Sequence, residues 1–163
     1  MKITVINTGG TFNKRYNPIK GQLEVPKDNI ALDKIVASCH NVEFDIQNVV
    51  SKDSLDMTDA DREKICVAIE KSSSDSIIII HGTDTIHLTS ALIKKRFIDK
   101  KIVFTGAMVP MSIEEVEATM NFSLALGFLS AQPKVGTYIA MHGVVVDSSR
   151  LVKNRELGQF LIK

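Results

Sequence analysis

The segment Ile77-Ile78-Ile79-Ile80-His81-Gly82-Thr83-Asp84-Thr85 (IIIIHGTDT) decides the fold of this chain. A run of four isoleucines predicts a central strand of a parallel sheet whose two faces are both covered. The polar stretch His81–Thr85 follows at once, and a helix is predicted from about Ile86 to Phe97. The segment is therefore a strand, a polar turn and a helix, which is the repeating unit of an α/β protein.

Strand and helix patterns alternate on both sides of this segment. The other predicted elements are strands over Lys2–Thr8, Val42–Val50, Ile102–Thr105, Val135–Ala140 and Val144–Val146, and helices within Asn29–Ser38, from Thr58 and over Glu114–Ser130. The polar stretch Phe12–Gly21 predicts a loop, and Val144–Val146 is expected to be the last strand. The expected fold is α/β with three α/β/α layers and a largely parallel central sheet, of the Rossmann-like or flavodoxin-like kind.

Length and charge narrow the functional classes. The chain has 163 residues, which fits one ordinary domain, and 44% of them are hydrophobic, so a substantial core can form. Twenty basic and nineteen acidic side chains leave no excess charge for a nucleic-acid or anionic-membrane surface. No apolar run approaches the roughly 20 residues that a membrane-spanning helix needs. We therefore expect neither nucleic acid nor membrane as a partner.

The cysteines and the N-terminus bear on the compartment. Cys39 and Cys66 stand apart, with neither a CxxC spacing nor a disulfide framework. Chains of this kind are typical of a reducing compartment. The N-terminal sequence MKITVINTGG is predicted to be a strand and a turn and lacks the apolar core of a secretory signal. The expected location is the cytoplasm.

Three polar clusters are predicted at carboxyl ends of strands or in the loops that follow them, where open α/β sheets bind ligands. They are Thr8-Gly9-Gly10-Thr11, the loop that contains Ser54, and His81–Thr85. The first cluster matches neither GxxxxGK[ST] nor GxGxxG, so phosphate binding is disfavoured. Each cluster alone is better explained as a tight turn and a helix cap, because Thr and Asp commonly cap helices. Three clusters at successive strand ends favour a ligand site more strongly than any one of them does. We expect His81, directly after a buried strand, to have a structural role.

A threonine hydroxyl in such a cluster could act as a nucleophile. A free hydroxyl is a weak nucleophile and needs a base or a nearby cation. A lysine oriented by an aspartate could accept the hydroxyl proton, and Lys153 lies near the end of the chain. Its spacing alone predicts a surface lysine, because lysines are rarely buried.

The sequence resembles the bacterial-type L-asparaginase/glutaminase family. The resemblance is carried by TGGT (Thr8–Thr11), HGTDT (His81–Thr85) and VFTGAM (Val103–Met108), in this order and after these strands. It covers essentially the whole chain but only the N-terminal domain of the family. We therefore expect residues 1–163 to form one domain of that type, without the family's C-terminal domain.

The resemblance implies roles for individual residues. Thr11 fits the attacking threonine and Tyr16 the loop tyrosine that activates it. Thr83 and Asp84 fit the second catalytic threonine and the aspartate that also binds the substrate's α-amino group. Lys153, six residues after Asp147, fits the lysine that completes a Thr-Lys-Asp triad.

The resemblance also implies a substrate site. Ser54 fits the serine that binds the substrate's α-carboxylate. Gly10 and Gly82 belong to the turns that border the substrate, and their backbone amides are suitable oxyanion donors. The family hydrolyses a side-chain amide through an acyl-enzyme and releases ammonia. No metal or organic cofactor is implied.

Three functions remain open on the sequence. The first is an amidohydrolase that acts on L-asparagine or a similar small amino-acid amide. The second is a non-catalytic module that binds an amino acid through Ser54, Thr83 and Asp84. The third is a subunit that needs a partner protein to complete its site. We expect a homo-oligomer, and specifically a dimer, because cyclic dimers are the commonest assembly.

Overall fold

A computed structural model describes all residues, 1–163, as an ordered α/β fold. Its strands are β1 (Lys2–Gly9), β2 (Arg15–Asn17), β3 (Gln22–Glu24), β4 (Glu43–Lys52), β5 (Ser76–Ile80), β6 (Lys101–Thr105), β7 (Gly136–Met141), β8 (Val144–Asp147), β9 (Leu151–Asn154) and β10 (Gln159–Ile162). Its helices are α1 (Ile30–Val36), α2 (Asp59–Lys71), α3 (Ile86–Arg96) and α4 (Val116–Ser130).

Six of the strands form the main sheet, in the order β4-β1-β5-β6-β7-β8. All neighbours are parallel except β7 and β8, which form an antiparallel hairpin. Counted within this sheet, the first five strands follow the 2-1-3-4-5 order of flavodoxin-like folds. The predicted α/β class with a largely parallel sheet is confirmed.

Strand β5 shows why the isoleucine run belongs at the centre. Ile77 and Ile79 pack into the cluster beneath α2 and α3, and Ile78 and Ile80 pack into the cluster beneath α1 and α4. All four are fully buried. Because successive side chains of a strand point to opposite faces, a sheet covered on both sides needs an apolar residue at every position.

Helix α2 begins where the sequence predicts. The Thr58 side chain accepts the backbone N–H of Asp61, and the Asp61 carboxylate accepts the backbone N–H of Thr58. This capping box is complete, although an aspartate takes the place of the usual glutamate or glutamine. It fixes the start of α2 shortly after the loop that carries Ser54.

Two segments differ from the sequence prediction. The stretch Phe12–Gly21, predicted as a loop, lies within a 3-10 turn (Thr11–Asn13) and the β2–β3 hairpin, which ion pairs such as Arg15–Asp28 stabilise. The chain also continues beyond β8 into an antiparallel β9–β10 hairpin, so β8 is not the last strand. Both hairpins are short, carry interleaved polar residues and pair only with themselves, so apolar periodicity does not reveal them.

None of the four helices combines the length and the apolar character needed to cross a membrane.

Candidate active site

The carboxyl ends of β1 and β5 lie side by side at the point where the strand order reverses. Gly10 has a positive φ of 73°, and a Cβ added there would lie 2.6 Å from the Cα and N atoms of Gly82. A Cβ on Gly82 would in turn lie 2.6 Å from Cβ of Ser54. Only glycine fits at these two positions, and the three polar clusters therefore meet at one edge of the sheet.

Ser54 lies deep in this edge. Its hydroxyl accepts the backbone N–H of Thr85 at 3.3 Å, and its carbonyl accepts the Thr85 hydroxyl at 2.8 Å. The residue is 1% exposed. In this conformation Ser54 joins its own loop to the turn after β5, and a substrate carboxylate would have to reach a nearly closed hydroxyl.

Lys153, in strand β9, contacts the turn that follows β5. Its Nζ donates to Oγ1 of Thr83 at 2.8 Å and to Oδ1 of Asp84 at 2.9 Å. The Lys153 side chain is 15% exposed. The hydroxyl, amine and carboxylate that the sequence analysis grouped are thus in direct contact, and Lys153 is not a free surface lysine.

Arg155 is a site residue that was not predicted from the sequence. Its Nη2 lies 3.0 Å from Oδ1 of Asp84, the oxygen that also binds Lys153. The Asp84 carboxylate therefore contacts two cationic side chains, and that of Arg155 is largely exposed. The spacing of two residues from Lys153 is the signal that could have pointed to Arg155.

Thr11 and Tyr16 lie beside this triad but outside its hydrogen-bond network. Thr11 is half-buried at the start of the 3-10 turn, directly after Gly10. Because Gly10 contacts Gly82, Thr11 and Thr83 each follow one of two touching glycines. Tyr16 stands on the β2–β3 hairpin opposite Leu23 and is 61% exposed. Thr83, Asp84 and Lys153 are therefore connected by hydrogen bonds, and Thr11 lies near them without such a bond. Tyr16 lies apart, on the β2–β3 hairpin.

A second ion pair, also missed from sequence, joins the loops around the site. Lys14 Nζ contacts Oδ2 of Asp53 at 2.5 Å. Burial acts to raise the pKa of Asp53, but the bond from Lys14, the N–H of Leu55 and the charge of Lys153 outweigh it, so this pKa lies below its usual value. The pair ties the segment after Thr11 to the segment before Ser54.

His81 supports the turn from below. It is fully buried, and its Nδ1 lies 2.8 Å from the carbonyl oxygen of Gly82. Burial lowers its pKa to about 4. The predicted structural role is confirmed by this bond, which a neutral imidazole makes by donating from Nδ1.

A cavity of about 660 Å³ opens beside the triad, between α3 and the β9–β10 hairpin. Asp84 and Lys153 are among its fifteen lining residues, as are Lys94, Phe160 and Lys163. Thr11, Thr83 and Ser54 do not line it. No group of three or more His, Cys, Asp or Glu side chains is placed to hold a metal ion.

The fold and the site together define a class: an α/β protein with a hydroxyl-amine-carboxylate triad at the strand-order switch point. Residues 2–158 match the family model described as Asparaginase, N-terminal. The chain belongs to the asparaginase family.

Individual relatives agree with this assignment. The chain is 26% identical over 162 residues to an L-asparaginase of Thermococcus kodakarensis, covering 97% of this chain and 49% of that protein. It is 29% identical over 160 residues to a glutamyl-tRNA(Gln) amidotransferase subunit of Methanococcus maripaludis, covering 90% and 36%. The solved thermostable L-asparaginase from Thermococcus kodakarensis superposes with a TM-score of 0.85 at 24% identity, covering 99% of this chain and 51% of that one. The chain thus spans about half or less of these relatives.

Proposed function

We propose that this chain hydrolyses the side-chain amide of L-asparagine, or of a similar small amino-acid amide, to the acid and ammonia. The observation that carries the proposal is the simultaneous bonding of Lys153 Nζ to Thr83 and Asp84 at the carboxyl end of β5. A protein that only binds an amino acid needs no amine against a threonine hydroxyl. A hydrolase uses this contact to move the hydroxyl proton.

The proposed reaction divides into two steps. A threonine Oγ attacks the amide carbon while its proton passes to Lys153, which accepts it in the uncharged amine form. Lys153 then gives this proton to the amide nitrogen, which leaves as ammonia. Water then attacks the acyl-enzyme ester, which releases the acid and restores the threonine. Backbone N–H groups of the turns at Gly10 and Gly82 are suitable donors to the oxyanion of both steps.

The proposed residue roles follow the family resemblance. Thr11 is the nucleophile and Tyr16 its activator, while Thr83, Lys153 and Asp84 form the proton-transferring triad. The competing nucleophile is Thr83 itself, because it is the threonine that contacts the amine directly. Ser54 and Asp84 bind the α-carboxylate and α-amino groups of the substrate.

The first experiment measures ammonia release by the purified protein from L- and D-asparagine, L- and D-glutamine and simple amides. We expect release from at least one amino-acid amide and its loss in Thr83→Ala. Quenching the reaction and weighing the intact protein then identifies the nucleophile. An acyl adduct that forms in Thr83→Ala but not in Thr11→Ala supports Thr11, and the opposite pattern transfers the role to Thr83.

Absence of release from every amide would overturn the hydrolase proposal for the isolated chain. The alternatives are a binding module and a subunit completed by a partner. The second is favoured by the relatives, which are about twice as long or longer and include a subunit of an amidotransferase. Calorimetry with aspartate distinguishes the two, since a binding module retains affinity without a partner.

We further propose that residues 1–163 form one N-terminal-type domain that assembles as a homo-oligomer, a dimer in its simplest form, in the cytoplasm. Two free cysteines support the reducing compartment. Measurement of the mass in solution tests the assembly, and a monomer at all concentrations would contradict it.

A further inference from the structure

The turn between β7 and β8 places His142 in an uncommon conformation. Its φ is 51°, in the left-handed region that residues other than glycine seldom adopt. Its backbone N–H donates to Oδ1 of the fully buried Asn121 at 3.0 Å, and Asn121 Nδ2 donates to the carbonyl oxygen of Gly106 at 2.9 Å. Helix α4 therefore holds this turn in place and fixes the direction of the His142 side chain.

The imidazole of His142 bridges two parts of the molecule. Its Nδ1 lies 3.3 Å from the backbone N of Phe160 in β10, and its Nε2 lies 3.1 Å from Oε1 of Glu117 in α4. A backbone N–H can only donate, so Nδ1 is the acceptor and the ring proton is on Nε2, facing Glu117. The rings of His142 and Phe160 also meet edge to face, with centroids 5.8 Å apart.

Glu117 is itself fixed. Its two carboxylate oxygens accept the backbone N–H groups of Met108 and Val109, each at 2.9 Å, and its side chain is 15% exposed. The bridge therefore runs from the loop after β6, through Glu117 and His142, to the backbone of Phe160.

The position of Phe160 connects this bridge to the site. Phe160 pairs directly with Lys153 across the β9–β10 hairpin. The hairpin has no strand partner in the main sheet, and an isolated two-stranded hairpin is marginally stable. Leu151 and Phe160 pack it onto the core, and the imidazole bond adds a polar contact at the residue opposite the lysine.

We propose that His142, oriented by Glu117, is a positioning residue that holds the β9–β10 hairpin so that Lys153 Nζ stays on Thr83 and Asp84. The inference rests on the proposed function, because it assigns His142 to the placement of the proton-transferring amine. His142 itself does not touch the reacting groups.

The test compares two substitutions of His142. His142→Gly allows the left-handed backbone and removes both hydrogen bonds of the imidazole. His142→Gln offers an oxygen to accept from Phe160 and an amide N–H to donate to Glu117, and Gln132 already adopts a φ of 52° in this protein. His40→Gly, at an exposed histidine, is the matched control.

Loss of one hydrogen bond changes a rate or an equilibrium constant by about fivefold to tenfold. We expect His142→Gly to accelerate amide hydrogen exchange at Phe160 and to lower kcat by about that factor, with KM changed by less than about twofold. His142→Gln should restore both quantities, and His40→Gly should change neither. Unchanged exchange at Phe160 would refute the bridge, and faster exchange with an unchanged kcat would refute its role in positioning.

If the chain hydrolyses no amide, the proposed function is refuted, but the His142 bridge can still be tested. The rate at which an uncharged, amine-reactive reagent labels Lys153, measured by mass spectrometry, then reports how well the amine is held in place. Faster labelling in His142→Gly, reversed in His142→Gln, supports the bridge as the contact that holds Lys153 in place. Equal labelling in all three proteins overturns it.

Discussion

The turns after β1 and β5 are enclosed by the main sheet, whereas the β9–β10 hairpin that brings Lys153 lies outside it. In the buried half of the site, Gly10, Gly82 and Ser54 touch one another so closely that no Cβ can be added at either glycine. In the hairpin half, Lys153 and Arg155 reach Asp84 from a two-stranded ribbon. The buried half is thus coupled to the stability of the fold. In the hairpin half Leu151 and Phe160 pack into the core, whereas the polar side chains that reach Asp84 can change with less effect on the fold.

The largest effect that this comparison predicts is on activity alone. Lys153→Met should reduce ammonia release about 10²-fold to 10⁴-fold, the usual contribution of a positioned acid or base. The free energy of unfolding should change by only about 1 kcal/mol, because Arg155 still neutralises Asp84 and the Asp84 carboxylate is not left without a cationic partner. Steady-state kinetics and urea unfolding measure the two quantities.

The matched control for this substitution is Lys71→Met, at the exposed last residue of α2. It should leave both activity and stability near the wild-type values. A loss of several kcal/mol in Lys153→Met would show that the hairpin half is as much a part of the core as the buried half.

The next effect concerns the pH dependence of the buried half. Unfolded His81 binds a proton near pH 6.5, whereas burial lowers the pKa of the folded residue to about 4. The unfolded chain therefore binds more protons between these values, and stability should fall as the pH drops from 6.5 to 4, by up to about 3 kcal/mol.

Urea unfolding from pH 7 to pH 4 measures this loss, and His81→Asn should flatten the curve over that interval. An NMR titration gives an independent check. The His81 ring signals should stay constant down to about pH 5, and a titration near pH 6.5 would show that the residue is open to solvent.

A third, smaller effect tests the packing of the glycine turns. Gly82→Ala places a methyl group 2.6 Å from Ser54, and such overpacking typically costs about 1–3 kcal/mol. Activity should fall together with stability, because the turn also carries Thr83. Thermal unfolding and ammonia release are the measurements.

Gly127→Ala is the control for this prediction. Gly127 lies in α4, where an added Cβ meets nothing within 4 Å, so alanine should be neutral or stabilising. Equal stability of Gly82→Ala and the wild type would mean that the close contacts among Gly10, Gly82 and Ser54 relax easily.

The smallest effect concerns Asp147, the last residue of β8, shortly before the hairpin. Burial raises the pKa of Asp147, but Lys94 and Ser149 bond its carboxylate and bring the pKa down to about 2. The ionised form therefore stabilises the fold above pH 4, and this stability is lost as the pH falls from about 4 to about 2. Because the pair is more than one-third exposed, solvent screening limits its contribution to about 1 kcal/mol or less.

Acid unfolding of Asp147→Asn should differ from the wild type above pH 5 and converge with it towards pH 2. Asp99→Asn, at an exposed carboxylate between α3 and β6, is the control. A constant difference over the whole pH range would show that the ion pair with Lys94 does not cause the effect.

The sequence predicts the main sheet well because burial on both faces leaves an apolar pattern. Ile77–Ile80 lies in the strand that the pattern predicts, and Thr58 caps the helix that the pattern begins there. The two small hairpins escape prediction because they bury little. Their strands are three or four residues long and carry charges such as Arg15 and Lys153.

Some residues of the site could be predicted from the sequence and others could not. The positions of Thr83 and Asp84 follow from the end of a buried strand, a local feature. The place of Lys153 came from the family resemblance, because a contact across 70 residues leaves no trace in spacing. Arg155 and the His142 bridge depend on tertiary packing and became visible only in the structure. The catalytic and binding roles of these residues, including Thr11 and Tyr16, stay predictions.

The position of Lys153 after the strands of the main sheet also sets an order of events during synthesis. All six strands of the main sheet leave the ribosome before β9, and the glycine turns can form with them. Closing the loop from Asp84 to Lys153 joins residues 69 positions apart, which is slow compared with local contacts. We therefore expect a nascent chain to form its main sheet before Lys153 is placed, so that the contacts of Thr83, Asp84 and Lys153 are complete only when the β9–β10 hairpin docks.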